Sequence, residues 1–467
     1  MTSDQAAPTG PRSVPGRPSP TARRPAPAPA VPVHASRSAG LRYGALFGPA
    51  VFGVTAAGVA LPDVAGALHA TPATAAWVLT AHALALGVGT ALFGRLADAR
   101  GVRVSLLVGS LVLAVGAVVC LFAPDIGVLV AGRFVLAAGS GAMTSGALAL
   151  TASAPPADRP RVLGGFGATM AVFSAGATLA GGVLTQWASW RIVLVLPALS
   201  LLAVPLCLRA AAARAGSGRR LDLPGAVLLT VAAMSFLLLV QSYALGLAGP
   251  LVAGLAVALA GSLVGLVRRV RTVEGSFVPR RLVADRMFLR ASLTGAGAYA
   301  GLFAAMYLVP QILVGGHGWS VLAVGTWLLP GAVAGAVLSR FAGRFAGGRA
   351  GSVLLGLIAL AMAVVLAGSA VTGSPAPPLV GASLGFAAFA VTQVVTTALM
   401  STHVEPSLRG GAMGLLNLAF FVGGGVGSAT AGALVKSMEL TGVLAVVAVF
   451  PLAAAAAAFW TGAVTAP

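Results

Sequence analysis

Two side chains could do charge or acid–base chemistry inside apolar stretches of this chain, Arg133 in the stretch 127–150 and His82 in the stretch 75–94. Burying a guanidinium in hydrocarbon costs at least about 2.5–3.5 kcal/mol, which makes Arg133 a candidate for a substrate or proton pathway. The alternative is an arginine that snorkels to the surface. An imidazole titrates near neutral pH, which suits His82 for proton exchange; a structural, hydrogen-bonded imidazole is the alternative.

Two other stretches carry polar or aromatic side chains at helical spacing. The first, 291–311, steps by four residues through Tyr299, Phe303, Tyr307 and Gln311. The second, 377–401, holds two pairs four residues apart, Thr392 with Thr396 and Gln393 with Thr397. Residues four apart share one helix face, so both faces are candidates for a substrate pathway, with Thr55 as a weaker one. Hydrogen bonding within a protein core is the alternative.

The composition excludes a soluble globule and a nucleic-acid partner. Of the 467 residues, 58% are hydrophobic and 8% are charged, whereas soluble domains carry about 25% charged residues. The hydrophobic excess therefore faces lipid. The net charge of +19 comes from arginines in short clusters between apolar stretches, without interleaved aromatic residues.

Nothing in the sequence predicts an enzyme, a metal site or a cofactor. Cys120 and Cys207 lie inside apolar stretches and have no metal-ligand or disulfide spacing. A nucleophile elbow and a phosphate-binding loop are also missing from the sequence.

A membrane-spanning helix needs about 20 mostly apolar residues, and fourteen stretches satisfy this requirement. They are 43–62, 75–94, 104–123, 127–150, 162–185, 191–210, 223–243, 248–267, 291–311, 320–339, 351–371, 377–401, 410–435 and 440–461. The predicted organisation is a disordered Pro/Arg-rich cytoplasmic tail at 1–40, a six-helix bundle at 41–212, two extra helices at 213–270, a cytoplasmic loop at 271–290 and a second six-helix bundle at 291–467.

The basic residues predict the orientation of these helices. With the amino terminus in the cytoplasm, 26 of the 29 Lys and Arg residues fall on the cytoplasmic side, as the positive-inside rule requires. Both termini are therefore expected in the cytoplasm and the protein in the cell membrane. Four tryptophans fall at predicted outer ends, where the indole N–H reaches the headgroups: Trp77, Trp187, Trp190 and Trp319. Trp460 falls at an inner end.

Two internal similarities indicate a duplicated half. The loop 94–100 resembles the loop 343–349, and the segment Gly176-Ala-Thr-Leu-Ala180-Gly181 resembles Gly427-Ser-Ala-Thr-Ala431-Gly432. Small residues four apart let helices approach closely, so these two segments are predicted packing faces. Internal repeats of this kind are typical of secondary transporters, with the site between the halves.

Further motifs carry a resemblance to a known family. They are Gly94-Arg-Leu-Ala-Asp98-Ala-Arg100-Gly101-Val-Arg103, Val59-Ala-Leu-Pro62 followed by Trp77-Val-Leu-Thr80-Ala81, the buried Arg133, Ser189-Trp190-Arg191 and Leu221-Asp222-Leu-Pro-Gly225. Over residues 43–461 the chain resembles the major facilitator superfamily, specifically its fourteen-helix drug:proton antiporter branch.

The resemblance implies an all-α integral membrane protein with the major facilitator fold: two six-helix bundles plus two additional central helices, about 14 transmembrane helices. It also implies a gating loop formed by Gly94, Asp98, Arg100, Gly101 and Arg103. In that loop Asp98 would cap a neighbouring helix N-terminus and pair with basic residues in one conformation. The alternative is that the loop is a topology signal alone.

The sequence departs from the family pattern where the branch usually carries its charge. Gly53 stands in place of an acidic residue, Gly58 in place of an asparagine, and Ala177-Thr178 in place of Gly-Pro. All ten acidic residues fall in the tail, in loops or at span ends. A buried unpaired ion is expensive, so the spans favour neutral, zwitterionic or anionic substrates.

The expected function is export of small amphipathic molecules by alternating access, as in drug, antibiotic or metabolite efflux, by a monomer in the lipid bilayer with protons as the candidate coupling ion. A facilitator or importer of a small metabolite without proton antiport is the alternative. A receptor or scaffold that transports nothing is a more distant alternative, because a scaffold needs no polar lining.

Overall fold

The fold is helical throughout the part of the chain that the structure, a computed structural model, describes. That part is residue 2 and residues 36–464, apart from 156–157, 215, 219–220, 274, 343–344, 346–347 and 405–408. It contains fourteen helices long and apolar enough to cross a membrane, and no strand. The predicted all-α class and the predicted number of spans are therefore confirmed.

We number these helices spans 1 to 14 in chain order. Their bounds are Ser38–Ala67, Ala73–Arg100, Val102–Leu121, Ile126–Ala152, Gly165–Trp187, Trp190–Ala212, Leu223–Val240, Gly249–Thr272, Arg286–Gly316, Val321–Ala342, Arg349–Thr372, Ala376–Met400, Ala412–Leu434 and Leu440–Ala463. Two short helices, Ser242–Leu245 and Arg280–Val283, follow spans 7 and 8.

The first helix begins earlier than predicted. Residues 36–40, assigned above to the tail, open the helix Ser36–Phe47. The rest of the predicted tail, except residue 2, lies outside the described residues, and so does most of the loop 343–349.

Spans 1 and 6 are interrupted by 3₁₀ turns. Span 1 changes at Gly48–Gly53 and resumes as the helix Thr55–Ala67, and span 6 changes at Leu196–Leu199. A proline stands in the first turn of each 3₁₀ segment, where its missing N–H breaks the regular hydrogen-bond ladder. Such interruptions leave backbone carbonyls that need partners from elsewhere in the protein.

Because consecutive spans run antiparallel, the loops after the even-numbered spans share one end of the bundle, which we call the basic end. Three contacts show this directly: Ser217 N donates to the Asp98 carbonyl over 2.8 Å, Arg95 Nη2 donates to the Ser276 carbonyl over 2.9 Å, and His403 Nε2 lies 3.0 Å from Asp285 Oδ2. They join the regions after spans 2, 6, 8 and 12. Exposed arginines gather at this end, including Arg100, Arg103, Arg268, Arg271 and Arg280.

The most extensive contacts between spans 1–6 and spans 9–14 are made by three pairs of helices: spans 2 and 13, spans 5 and 10, and spans 1 and 9. We call the first contact the 2/13 seam. Thr80 Oγ1 and Ser428 Oγ lie 2.8 Å apart across it. Between spans 5 and 10, a Cβ added at Gly325 would lie 2.4 Å from the Thr178 carbonyl oxygen. The halves are therefore in direct contact along several helices.

The predicted packing segments lie on these contacting helices, but their members differ. A Cβ added at Gly181 would lie 2.8 Å from the Ala56 carbonyl oxygen, and one at Gly427 would lie 2.0 Å from that of Ala300. Gly432 faces Ala76, and Ala431 is fully buried. The prediction that Gly176 is a packing residue was wrong, because a Cβ added at this glycine would meet no heavy atom within 4 Å. Its neighbour Ala180 is half-buried.

Two tryptophans are also placed differently from the prediction. Trp187 is 73% exposed, as expected of a residue at a membrane interface, but Trp77 and Trp190 are 7% and 8% exposed. The Arg191 guanidinium carbon lies 4.1 Å from the centre of the Trp190 ring. Trp190 is thus covered by a cation–π contact rather than by lipid headgroups.

The difference between Gly181 and Gly176 gives a matched test of close packing. We expect Gly181→Leu to lower the free energy of unfolding by about 1–3 kcal/mol, because the side chain must displace the backbone of span 1. Gly176→Leu on the same helix should change it by no more than about 0.5 kcal/mol. Thermal unfolding of the two variants in detergent measures the difference; equal shifts would contradict the packing described here.

Candidate functional site

Arg133 is fully buried and bonds to three spans of the first half. Its Nη1 donates to the Leu194 carbonyl over 2.9 Å, its Nε to the Val78 carbonyl over 3.3 Å, and its Nη2 to the Gly53 carbonyl. Gly53 ends the 3₁₀ turn of span 1, and Leu194 lies two residues before that of span 6. The interrupted helices supply acceptors, so the side chain does not snorkel and the cost of burying the guanidinium is offset by hydrogen bonds.

His82 packs against this arginine centre. Its side chain is fully buried, and a Cβ added at Gly53 would lie 2.0 Å from His82 Nε2. Neither ring nitrogen has a hydrogen-bond partner among the described residues. Buried polar atoms are almost always paired, so the hydrogen bonds expected of a structural imidazole are not found among the described residues. The glycine at position 53, where the resemblance led us to expect an acid, makes room for the ring.

The second half contributes an aromatic cluster centred on the fully buried Tyr299 of span 9. The Tyr299 ring centre lies 4.5 Å from that of Phe389 on span 12, 5.2 Å from Phe420 and 5.4 Å from Phe421 on span 13, and 6.0 Å from Phe303. These separations are typical of favourable ring pairs. We call these five residues the aromatic cluster.

The cluster lies at the border between the halves. A Cβ added at Gly87 of span 2 would lie 2.9 Å from the Phe421 Cβ. Phe421 therefore touches the first half across the 2/13 seam, and a ligand entering between the halves would meet the aromatic rings.

A pair of amides borders the aromatic cluster. Gln393 Nε2 on span 12 donates to Asn417 Oδ1 on span 13 over 2.9 Å, and Asn417 Nδ2 donates to the Met413 carbonyl over 2.9 Å. Gln393 also interacts electrostatically with the Tyr299 hydroxyl, although the contact does not meet hydrogen-bond geometry. The cluster thus combines ring faces with amide groups that could exchange partners with a ligand.

The other candidate residues of the stretches 291–311 and 377–401, and Thr55, lie apart from this cluster. Gln311 Nε2 donates to the Tyr307 carbonyl within span 9 over 2.6 Å, and Thr55 donates back to Val51 within span 1. Thr396 donates to the Thr392 carbonyl and faces a small crevice lined by spans 9, 11, 12 and 14. The structure therefore brings Tyr299 and Gln393 together but places Thr396 inside the second half.

The loop after span 2 is docked on the linker that follows span 6. Gly101 ends span 2 with φ 94°, a conformation that favours glycine, and Gly218 N donates to the Ala99 carbonyl over 3.0 Å. Asp98 and the loop arginines Arg100 and Arg103 are exposed. A Cβ added at Gly94 would lie at ordinary contact distance from the Ser145 side chain. The cap of a neighbouring helix N-terminus by Asp98 stays a prediction.

Sequence reasoning missed several members of the site. Asn417 is the only asparagine in the chain and stands inside an apolar stretch, a signal that could have identified it. Phe389 stands four residues before Gln393, so it shares that helix face. Phe420 and Phe421 gave no comparable signal, because aromatic residues are ordinary in membrane helices.

The chemistry of the site is that of binding. Among the described residues no group of His, Cys, Asp and Glu could hold a metal ion. The buried polar residues in the described spans are hydroxyls, amides, His82 and Arg133, without a carboxylate.

Curated relatives include proteins named for export and resistance. Over 280 residues, 59% of this chain and 56% of the relative, the chain is 31% identical to the puromycin resistance protein pur8 of Streptomyces alboniger. It is 33% identical over 270 residues to the cephamycin export protein CmcT of Amycolatopsis lactamdurans, covering 56% and 54% of the two chains. The chain thus spans about half the length of these relatives.

A longer match is to the uncharacterized transporter YebQ of Escherichia coli, 27% identical over 411 residues, which are 83% of this chain and 88% of the relative. The family model of the Major Facilitator Superfamily matches residues 44–380. That match covers nearly all of the first half, the two extra helices and spans 9 to 11 of the second half, and it agrees with the fourteen spans and with the resemblance found in the sequence. The chain belongs to the Major Facilitator Superfamily.

Proposed function

We propose that this protein is a secondary transporter that exports small amphipathic molecules by alternating access. The observation that carries the proposal is the aromatic cluster with its Gln393–Asn417 amide pair, which lies on three helices of one half and touches the other half at Phe421. A ligand bound there would contact both halves. Rocking the halves apart at one end and then at the other would expose it to each side in turn.

Direction and orientation are parts of the same proposal. We place the basic end and both termini in the cytoplasm, because arginine-rich loops stay on that side of the cell membrane. The names of two relatives refer to antibiotic resistance and export, which supports outward transport of such compounds. A single chain carries both halves and the cluster, so we propose that it works as a monomer.

The substrate class follows from the charges at the site. The described spans offer ring faces, amides and a buried arginine, without a buried carboxylate. Neutral, zwitterionic or anionic aromatic compounds therefore suit the site better than permanent cations, although ring faces can still bind a cation with about 2 kcal/mol. The same lack of a carboxylate favours, as the second candidate, a facilitator that uses no proton gradient.

The remaining candidate residues have supporting parts in this scheme. We propose that Arg133 holds spans 1, 2 and 6 together as one body, and that the loop Gly94–Arg103 helps to close the basic end. We propose that Gly181, Gly427 and Gly432 allow the close approach of helices on which that motion depends.

Export is tested by expression in a bacterial strain that lacks its own efflux pumps. We expect a raised inhibitory concentration and lower cellular accumulation for aromatic antibiotics, with puromycin and a cephamycin in the panel. Permanently charged dyes such as ethidium should be exported less well than neutral and anionic compounds. Accumulation equal to that of the empty vector for the whole panel would contradict the exporter proposal.

Tyr299 provides the sharpest variant for the substrate site. We expect Tyr299→Ala to weaken export about tenfold, because a loss of about 1.4 kcal/mol of ring contact corresponds to that factor. Tyr299→Phe keeps the ring and should stay within about threefold of wild type. Tyr243→Ala is the control, since that tyrosine is 75% exposed. Equal export by Tyr299→Ala and wild type at equal expression would exclude the cluster as the site.

His82 is the group that we expect to couple transport to protons. In proteoliposomes with an imposed pH gradient, His82→Gln should abolish accumulation against a substrate gradient while downhill flux persists, because glutamine keeps the polar volume but cannot carry the proton. Full accumulation by the variant would make His82 structural. A wild type that ignores the pH gradient would favour the facilitator.

A further inference from the structure

Span 7, the first of the two extra helices, lies against the 2/13 seam, and span 8 packs against span 7. Leu237 of span 7 is fully buried, and a Cβ added at Gly425 of span 13 would lie 3.3 Å from the Leu237 side chain and 3.6 Å from the Thr80 carbonyl oxygen of span 2. Gln241 Nε2, just beyond span 7, donates to the Ala429 carbonyl on span 13 over 2.9 Å. Span 7 thus contacts both halves where they meet.

At the basic end, the linker between spans 8 and 9 lies beside the same seam. Phe277 of that linker is 5% exposed and lines a crevice with Ala91 and Gly94 of span 2 and with Gly414 and Leu415 of span 13. One aromatic side chain from the linker is therefore buried beside the seam between the halves.

Asp222 holds the backbone of Phe277 in this position. Its Oδ2 accepts the Phe277 N–H over 2.8 Å, and its Oδ1 accepts Arg269 Nη2 over 2.6 Å and Nε over 2.9 Å. The Gly225 N–H at the start of span 7 also donates to Oδ1, over 3.0 Å. The side chain of Asp222 is 5% exposed. One carboxylate therefore joins the start of span 7, the end of span 8 and the linker.

Arg95 holds the linker from the other side. Its Nη2 donates to the Phe277 carbonyl over 2.7 Å and to the Ser276 carbonyl over 2.9 Å, and its guanidinium carbon lies 5.8 Å from the centre of the Phe277 ring. Arg95 stands on span 2, in the first half. The chain from Arg269 through Asp222 and Phe277 to Arg95 therefore ties the extra helices to one side of the seam, while Phe277 borders a crevice that Gly414 and Leu415 of the other side also line.

We propose that this linker is a latch: Asp222 and Arg95 position Phe277 so that it keeps spans 2 and 13 together at the basic end, and release of Phe277 favours the conformation that is open there. Asp222 and Arg95 are positioning residues, because they act through Phe277. The latch gives the two extra helices a part in the opening equilibrium, and it does not depend on which compound is carried.

The latch remains charged at neutral pH. Burial alone would raise the pKa of Asp222, but the hydrogen bonds from Phe277, Arg269 and Gly225 outweigh it and hold the pKa below the ordinary value of 3.8. The contribution of a carboxylate with a lowered pKa is present above its unfolded pKa and is lost as pH falls through the folded one. We therefore expect the latch to be equally effective at pH 6 and pH 8.

A disulfide across the seam reports its closure without any transported compound. A Cβ added at Gly414 would lie 3.7 Å from the Ala91 Cα, within reach of a disulfide. The double variant Ala91→Cys and Gly414→Cys is made in a background that also carries Cys120→Ala and Cys207→Ala, and kept in membranes. Mass spectrometry of the non-reduced digest after mild oxidation gives the crosslinking rate.

We expect Asp222→Asn and Arg95→Gln each to slow crosslinking about fivefold, with the combination no slower than either alone, because both act through Phe277. Arg268→Gln, at the exposed arginine next to Arg269, is the matched control and should crosslink like the parent. Parental rates in both Asp222→Asn and Arg95→Gln would overturn the proposal, even if thermal stability falls. If Asp222→Asn fails to accumulate, Arg95→Gln decides alone. A multiplicative effect in the combination would overturn their common action through Phe277.

Discussion

The absence of water from the bilayer core is the constraint on which this structure depends, because a buried polar group without a partner in the protein is costly there. Arg133 meets that requirement with three backbone carbonyls from spans 1, 2 and 6. One of those carbonyls ends the 3₁₀ turn of span 1 and another lies two residues before that of span 6, so the interrupted helices supply two of the three acceptors. The result is a first half whose helices are joined through one guanidinium at its centre.

Within the described part of the second half no charged side chain is fully buried, and the interior is aromatic. Tyr299 and its four phenylalanine neighbours use ring faces where the first half uses a guanidinium. The halves therefore bring different chemistry to their common border, charge and an unpartnered imidazole from one side and ring faces with an amide pair from the other. That asymmetry suits binding of an amphipathic compound, whose apolar and polar parts need different surroundings. Among the described residues, none of the salt bridges joins the two halves.

The sequence was sufficient for the elements and less so for the contacts. The length of the apolar stretches alone predicts the fourteen spans. The cost of burying a guanidinium identifies Arg133 as a residue that needs partners inside the protein. The three carbonyl partners were not predictable, because they depend on where Pro49 and Pro197 turn the helices. Helical spacing made Tyr299 and Thr396 equally good candidates. It does not specify which neighbouring helix each face contacts, because that depends on the tertiary packing. Gly176 looked like a packing glycine for the same reason, since spacing does not specify the partner.

In the proposed mechanism the two halves move as bodies about their contacts, so that one end opens while the other closes. Distances between spin labels measure this most directly, with pairs at His69 and Ser437 for the end opposite the basic end and at Arg103 and Arg286 for the basic end, all exposed positions. A pair at Arg103 and Arg209, within the first half, serves as the reference. We expect a bound substrate or a pH gradient to shift the two cross-half distances in opposite directions and to leave the reference distance unchanged. Cross-half distances that stay fixed, or that change together with the reference, would contradict it.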